Sequence, residues 1–111
     1  MRYFKLSEFD CPCCGQNEMN KSFLNRLDVA RSQAGTAFIV NSGYRCEAHN
    51  KTVGSTSTNH TLGLAADIRC TSDRLRMLIV KALLDAGFNR IGIYQTFIHV
   101  DTNNKPFAMW R

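Results

Sequence analysis

Apolar and polar positions follow two rhythms along the chain, and these divide it into elements. Between Asn20 and Ala34, Phe23, Leu27, Ala30 and Ala34 recur at i, i+4, i+7 and i+11, the single stripe of an amphipathic helix. Asn20 is placed to cap its start and Gly35 to end it. A stronger helix is expected over Asp73–Ala86, capped by Ser72 or Asp73 and closed by Gly87. Leu75, Leu78, Ile79, Ala82, Leu83 and Ala86 form its core face. The strand rhythm occupies short runs: Thr36–Asn41, Ala65–Arg69, and the pair Asn89–Tyr94 and Phe97–Asp101, which Gln95 and Thr96 would join as a hairpin. Residues 3–10 read as an extended arm whose Phe4, Leu6 and Phe9 tuck onto the body. Cys46–Val53 reads as a short helix, and Gly54–Asn59 as a polar loop. Helices and short strands in mixed order predict an α+β fold, a small, mainly antiparallel sheet flanked by helices.

Length narrows this to one domain over residues 1–111, with room for a single modest core. No apolar run approaches the ~20 residues that span a bilayer. The N-terminal stretch lacks the apolar segment of a signal peptide. The expectation is a monomer made in the cytoplasm, without a signal peptide. The net charge of +5 favours anionic partners. Lys and Arg are scattered and form no recognition helix, which argues against specific nucleic-acid binding; bacterial envelope polymers are also anionic, and charge alone does not separate the two.

Candidate chemistry lies in Thr58-Asn59-His60-Thr61-Leu62-Gly63-Leu64-Ala65-Ala66-Asp67 and the later Phe97-Ile98-His99-Val100-Asp101. His60, Asp67 and His99 supply two imidazoles and a carboxylate. Three N and O ligands with a fourth position open suit a catalytic zinc, one per chain, whereas structural sites are closed by four, often with Cys. Gly63, with the small Ala65 and Ala66, would let the backbone fold back so that His60 and Asp67 meet. Asp67 sits between Ala66 and Ile68, and His99 between Ile98 and Val100, where an unpartnered polar group is costly and a metal would remove the cost. Alternation along the strand puts Phe97, His99 and Asp101 on one face. His49 is left outside the ligand set.

The five Cys cannot form a complete internal set of disulfides. Cys11 and Cys14 have the spacing that opens a zinc knuckle, but no second pair follows, and Cys46 and Cys70 stand alone. Reduced thiols packed as small hydrophobes are the expected state, with a Cys46–Cys70 bridge as the alternative.

The Thr58–Asp67 stretch resembles the S-x-H-x-x-G-x-A-x-D signature of the M15-type zinc peptidases, the D-Ala-D-Ala carboxypeptidase and phage endolysin group that cuts peptidoglycan peptides. Ser42-Gly43-Tyr44-Arg45 and Ile98-His99-Val100-Asp101 fall in that group's order and spacing, and the likeness runs from about Phe4 to Trp110. Thr58 replaces the signature Ser and keeps its hydroxyl. The resemblance implies the small zinc-peptidase sheet shared with the hedgehog signalling domain. It also implies zinc on His60, Asp67 and His99, and Arg45 as the group that holds substrate and stabilises the developing oxyanion. Ser42 and Tyr44 are expected to shape the turn. The implied substrate is a peptidoglycan peptide, cut beside a D-amino acid by an enzyme acting on the cell wall. One departure concerns the general base. Relatives place an acidic residue three positions before the last His, or a His two before it; this chain has Thr96 and Phe97. Asp101 is then the nearest carboxylate for the role, with orientation of His99 or Arg45 as its alternative. The missing acid also leaves room for a zinc-bearing binding module without turnover.

Overall fold

A computed structural model describes residues 1–55, 57–102 and 107–111. Three helices and five strands follow a short 3-10 turn at Leu6–Phe9: α1 Lys21–Ala34, β1 Val40–Ser42, α2 Glu47–Thr52, β2 Ala65–Arg69, α3 Asp73–Asp85, β3 Arg90–Ile93, β4 Phe97–Asp101 and β5 Ala108–Trp110. The strands form one sheet in the order β1-β2-β4-β3-β5, antiparallel except for the β3–β5 pair. The α+β expectation holds.

The elements form for the reasons their sequence suggests. Asn20 caps α1 by accepting a hydrogen bond from the Phe23 N–H, and Gly35 ends it with φ +66°. Ser72 caps α3 through the Leu75 N–H. Strand alternation then sorts the sheet into two faces. Ala66, Ile68, Ile91, Ile98 and Val100 are fully buried on one face, in the same apolar cluster as Phe23, Leu27, Ile79 and Leu83 of α1 and α3. The opposite face carries Asp67, His99 and Asp101. The site is therefore the other side of the core sheet, held by residues whose neighbours are locked in place by burial.

Two expectations are corrected, and one strand was not foreseen. The arm at residues 3–10 contains a 3-10 turn; Phe4 and Phe9 tuck inward but Leu6 is exposed. Its start is tied down by Asp28 of α1, whose carboxylate accepts from the Arg2, Tyr3 and Phe4 N–H groups. The run at 36–41 becomes a strand only at Val40–Ser42; Phe38 is buried while Ile39 is exposed, as the chain enters the sheet late. The expected polar loop at 54–59 is seen apart from residue 56, which lies outside the described residues. Strand β5, three residues long, escaped periodicity because it is too short to show any. Among the described residues, no helix is long and apolar enough to cross a membrane.

Candidate metal centre

Register assembles the site. A single row of paired residues crosses all five strands: Ser42 opposite Asp67, Asp67 opposite His99, His99 opposite Gly92, and Gly92 opposite Trp110. Directly opposed residues point to the same face, so Asp67 and His99 meet although 32 positions separate them. His99 Nδ1 lies 2.9 Å from Asp67 Oδ1.

His60 comes from outside the sheet. It sits in a turn that bends back at Gly63, where φ is +71° and an added Cβ would lie 2.1 Å from the Glu18 carbonyl oxygen. Glycine is thus required twice, for conformation and for space. The Gly63 carbonyl accepts from the Asn20 N–H, which ties this turn to the start of α1. The buried His60 ring places Nε2 3.5 Å from Asp67 Oδ1. Its Nδ1 lies 2.8 Å from the Gly43 carbonyl. A carbonyl only accepts, so Nδ1 carries a proton and Nε2 is the ring nitrogen that faces Asp67.

The donor atoms of His60, Asp67 and His99 all lie within 4.8 Å of one another. Donors on a tetrahedral zinc with bonds of about 2.0 Å stand about 3.3 Å apart, so the set fits with small adjustment. The outer partners fit as well: Gly43 fixes the His60 tautomer, and Asp101 Oδ2 stands 2.8 Å from His99 Nε2. Burial opposes charge on the Asp67 carboxyl, yet the His60 and His99 rings hold it well below the usual carboxylate range. Burial likewise opposes the His99 imidazolium, but Asp101 and Asp67 raise its pKa to about 9. Without a cation, this pair of carboxylates holds a proton on the ring between them. A divalent ion satisfies the same negative charge.

Arg45 reaches the same cluster. Its Nη2 lies 3.3 Å from Asp67 Oδ2, while Nε donates to Ser42 Oγ at 3.1 Å and Nη1 to Asn50 Oδ1 at 3.4 Å. Ser42 and Tyr44 shape this turn: Tyr44 is buried and its hydroxyl donates to Glu18 Oε2. Asp101 is 1% exposed and accepts from His99, from Arg90 Nε at 2.7 Å and from Asn59 Nδ2 at 3.1 Å. Burial would raise its pKa, but His99 and Arg90 keep it lowered. Three donors already converge on its two oxygens.

Sequence reasoning placed Phe97 on this face but missed the rest of the cleft, which encloses about 340 Å³ and is also lined by Arg90, Tyr94 and Trp110. Tyr94 and Phe97 stack with ring centroids 4.4 Å apart, and Trp110 Nε1 donates to the Tyr94 hydroxyl at 2.9 Å. The Trp110 ring lies over Gly92, where a Cβ would come within 2.5 Å of Nε1, and reaches 5.6 Å from the His99 ring. Two signals were available. Arg90, Gly92 and Tyr94 alternate with the core-facing Ile91 and Ile93, and a glycine inside a strand marks a close approach.

The thiols are reduced, as expected, but Cys46 is not isolated. All five cysteines are free, and Cys70 donates to the Ser72 carbonyl rather than bridging to Cys46. Cys46 does not stand alone: its sulfur lies within 4.8 Å of those of Cys11 and Cys14.

The family model for Peptidase M15 matches residues 2–101. No curated protein matches the chain.

Proposed function

The chain belongs to the Peptidase M15 family and is a metallopeptidase, and we propose that it hydrolyses a peptidoglycan stem-peptide or cross-bridge bond next to a D-amino acid, as a phage or prophage endolysin does. The convergence of His60, Asp67 and His99 on one point, on a face open to a cleft, supports this reading most directly. These three residues would hold the zinc ion, which when bound supplies Lewis acidity to activate water and polarise the scissile carbonyl.

The remaining groups act on substrate and on the ligands. Arg45 is held by Ser42 and Asn50, so its guanidinium is aimed before substrate arrives and loses little freedom on binding. It would donate to the carbonyl oxygen and stabilise the negative charge that develops there. Asp101 would orient His99 by accepting from Nε2, which turns Nδ1 toward Asp67. Tyr94, Phe97 and Trp110 form an apolar wall for the substrate side chains, and Arg90, 5.5 Å above the Trp110 ring, adds positive charge for a substrate carboxylate. The net charge of +5 would draw the protein to the anionic envelope.

Purified protein incubated with peptidoglycan should release new peptide amines. A chelator should abolish the release and added zinc restore it, while mass spectrometry of the products names the bond. A zinc-bearing module without turnover is the second reading. It is favoured by Thr96, which stands where relatives carry an acid. Stoichiometric zinc without amine release would establish that reading.

A further inference from the structure

We infer that the chain carries a second, sulfur-ligated metal site, formed by Cys11, Cys14 and Cys46, which staples the N-terminal segment to the loop bearing Arg45. The three sulfurs lie within 4.8 Å of one another although 35 residues separate the ends of the set. Thiolates around a tetrahedral zinc, with bonds of about 2.3 Å, stand about 3.8 Å apart, so this spacing needs little adjustment.

The backbone around the cluster is arranged for sulfur ligands. Cys11-Pro12-Cys13-Cys14-Gly15 closes as a tight knuckle: the Gly15 N–H donates to the Cys11 carbonyl, the Cys11 N–H donates to the Gln16 carbonyl, and Gly15 takes φ +74°. Backbone N–H groups are turned to the sulfurs. That of Cys46 donates to Cys11 Sγ, and that of His49 to Cys46 Sγ, each at 3.4 Å. Such donors stabilise a bound thiolate and fix its direction. Zinc also uses the whole set, whereas a disulfide between any two of these cysteines would strand the third. Cys11 is buried and Cys13 and Cys14 are exposed, so an ion has an open path to the ligands. Binding would release the thiol protons to solvent.

The location gives the site a use. Cys46 directly follows Arg45 and caps α2. The loop before it already rests on the same arm: the Tyr44 N–H donates to the Phe9 carbonyl, and a Cβ on Gly43 would come within 2.7 Å of Phe9 Cα. A metal joining Cys11 and Cys14 to Cys46 would lock the arm against the turn that aims Arg45. This role is separate from the ion held by His60, Asp67 and His99.

Cobalt substitution under reducing conditions tests the proposal, because sulfur-ligated cobalt shows an intense near-ultraviolet charge-transfer absorption that nitrogen and oxygen ligands do not give. Wild-type protein should bind two equivalents of metal and show this band. His60→Ala should keep the band and one equivalent, and the double variant Cys14→Ser/Cys46→Ser should lose the band and keep one equivalent at the other site. Absence of the band from metal-loaded wild type overturns the proposal, whether or not the double variant folds. So does a disulfide that forms among these cysteines in protein offered zinc. Loss of the histidine-bound equivalent alone, with the band intact, would count against the catalytic ligand set and leave this site standing.

Discussion

Replacing Asp101 by Asn separates its two candidate roles. The carboxylate accepts from three N–H donors, with His99 and Asn59 on Oδ2 and Arg90 on Oδ1. An asparagine of the same shape offers one oxygen, and its amide nitrogen cannot accept. If its oxygen takes the Oδ2 place, Arg90 faces an amide donor; if it flips, His99 does. Either way the charge beside His99 is lost, and at least one donor loses an acceptor at a residue 1% exposed, which costs about 1–3 kcal/mol of stability. If Asp101 orients His99, zinc affinity should fall about 10–100-fold, equivalent to ~1.4–2.7 kcal/mol. The rate should then return to within about tenfold of wild type once zinc is saturating. If Asp101 is instead the general base, zinc affinity should hold while the rate falls by about 10²–10⁴ at any zinc concentration. Competition with a chromophoric chelator, followed by peptide-amine release across a zinc titration, distinguishes these outcomes. Unchanged zinc affinity with a collapsed rate would refute the orienting role.

Arg45→Ala should leave zinc bound and lower the rate by about 10²–10³, because an oxyanion donor is worth ~3–4 kcal/mol; an unchanged rate makes Arg45 part of the scaffold. Gly63→Ala should cost about 2–5 kcal/mol, from the left-handed φ and from the Cβ driven into the Glu18 and Met19 backbone. Denaturant unfolding at the wild-type midpoint would contradict that close approach. Asp28 titrates below its ordinary value, because the Arg2, Tyr3 and Phe4 N–H groups outweigh the burial that opposes its charge. Its stabilisation is therefore present above the unfolded carboxylate pKa of about 3.9 and is lost as pH falls through the lower folded value. The stability gap between wild type and Asp28→Asn, measured by denaturant midpoint, should be steady near neutrality and close in acid; a gap independent of pH would exclude the mechanism.

Local rules were enough for much of this molecule. The capped helix at Lys21–Ala34, strand Ala65–Arg69 and the hairpin closing at Gln95-Thr96 follow from side-chain period, caps and turns, which act over a few residues. His60, Asp67 and His99 were legible because polar groups flanked by apolar neighbours need a partner, and their order resembles one peptidase family. What the sequence could not give was register. Only pairing across five strands puts Ser42, Asp67, His99, Gly92 and Trp110 in one row, and that pairing depends on contacts between residues up to 32 positions apart. The same holds for the arm. Nothing near Cys11 announces Cys46, and nothing near Gly63 announces the Glu18 carbonyl. Local pattern thus determined which residues were chemically notable; the packing of distant segments decided which of them touch, since burial of the apolar face fixes the sheet, and the sheet then brings its polar face together.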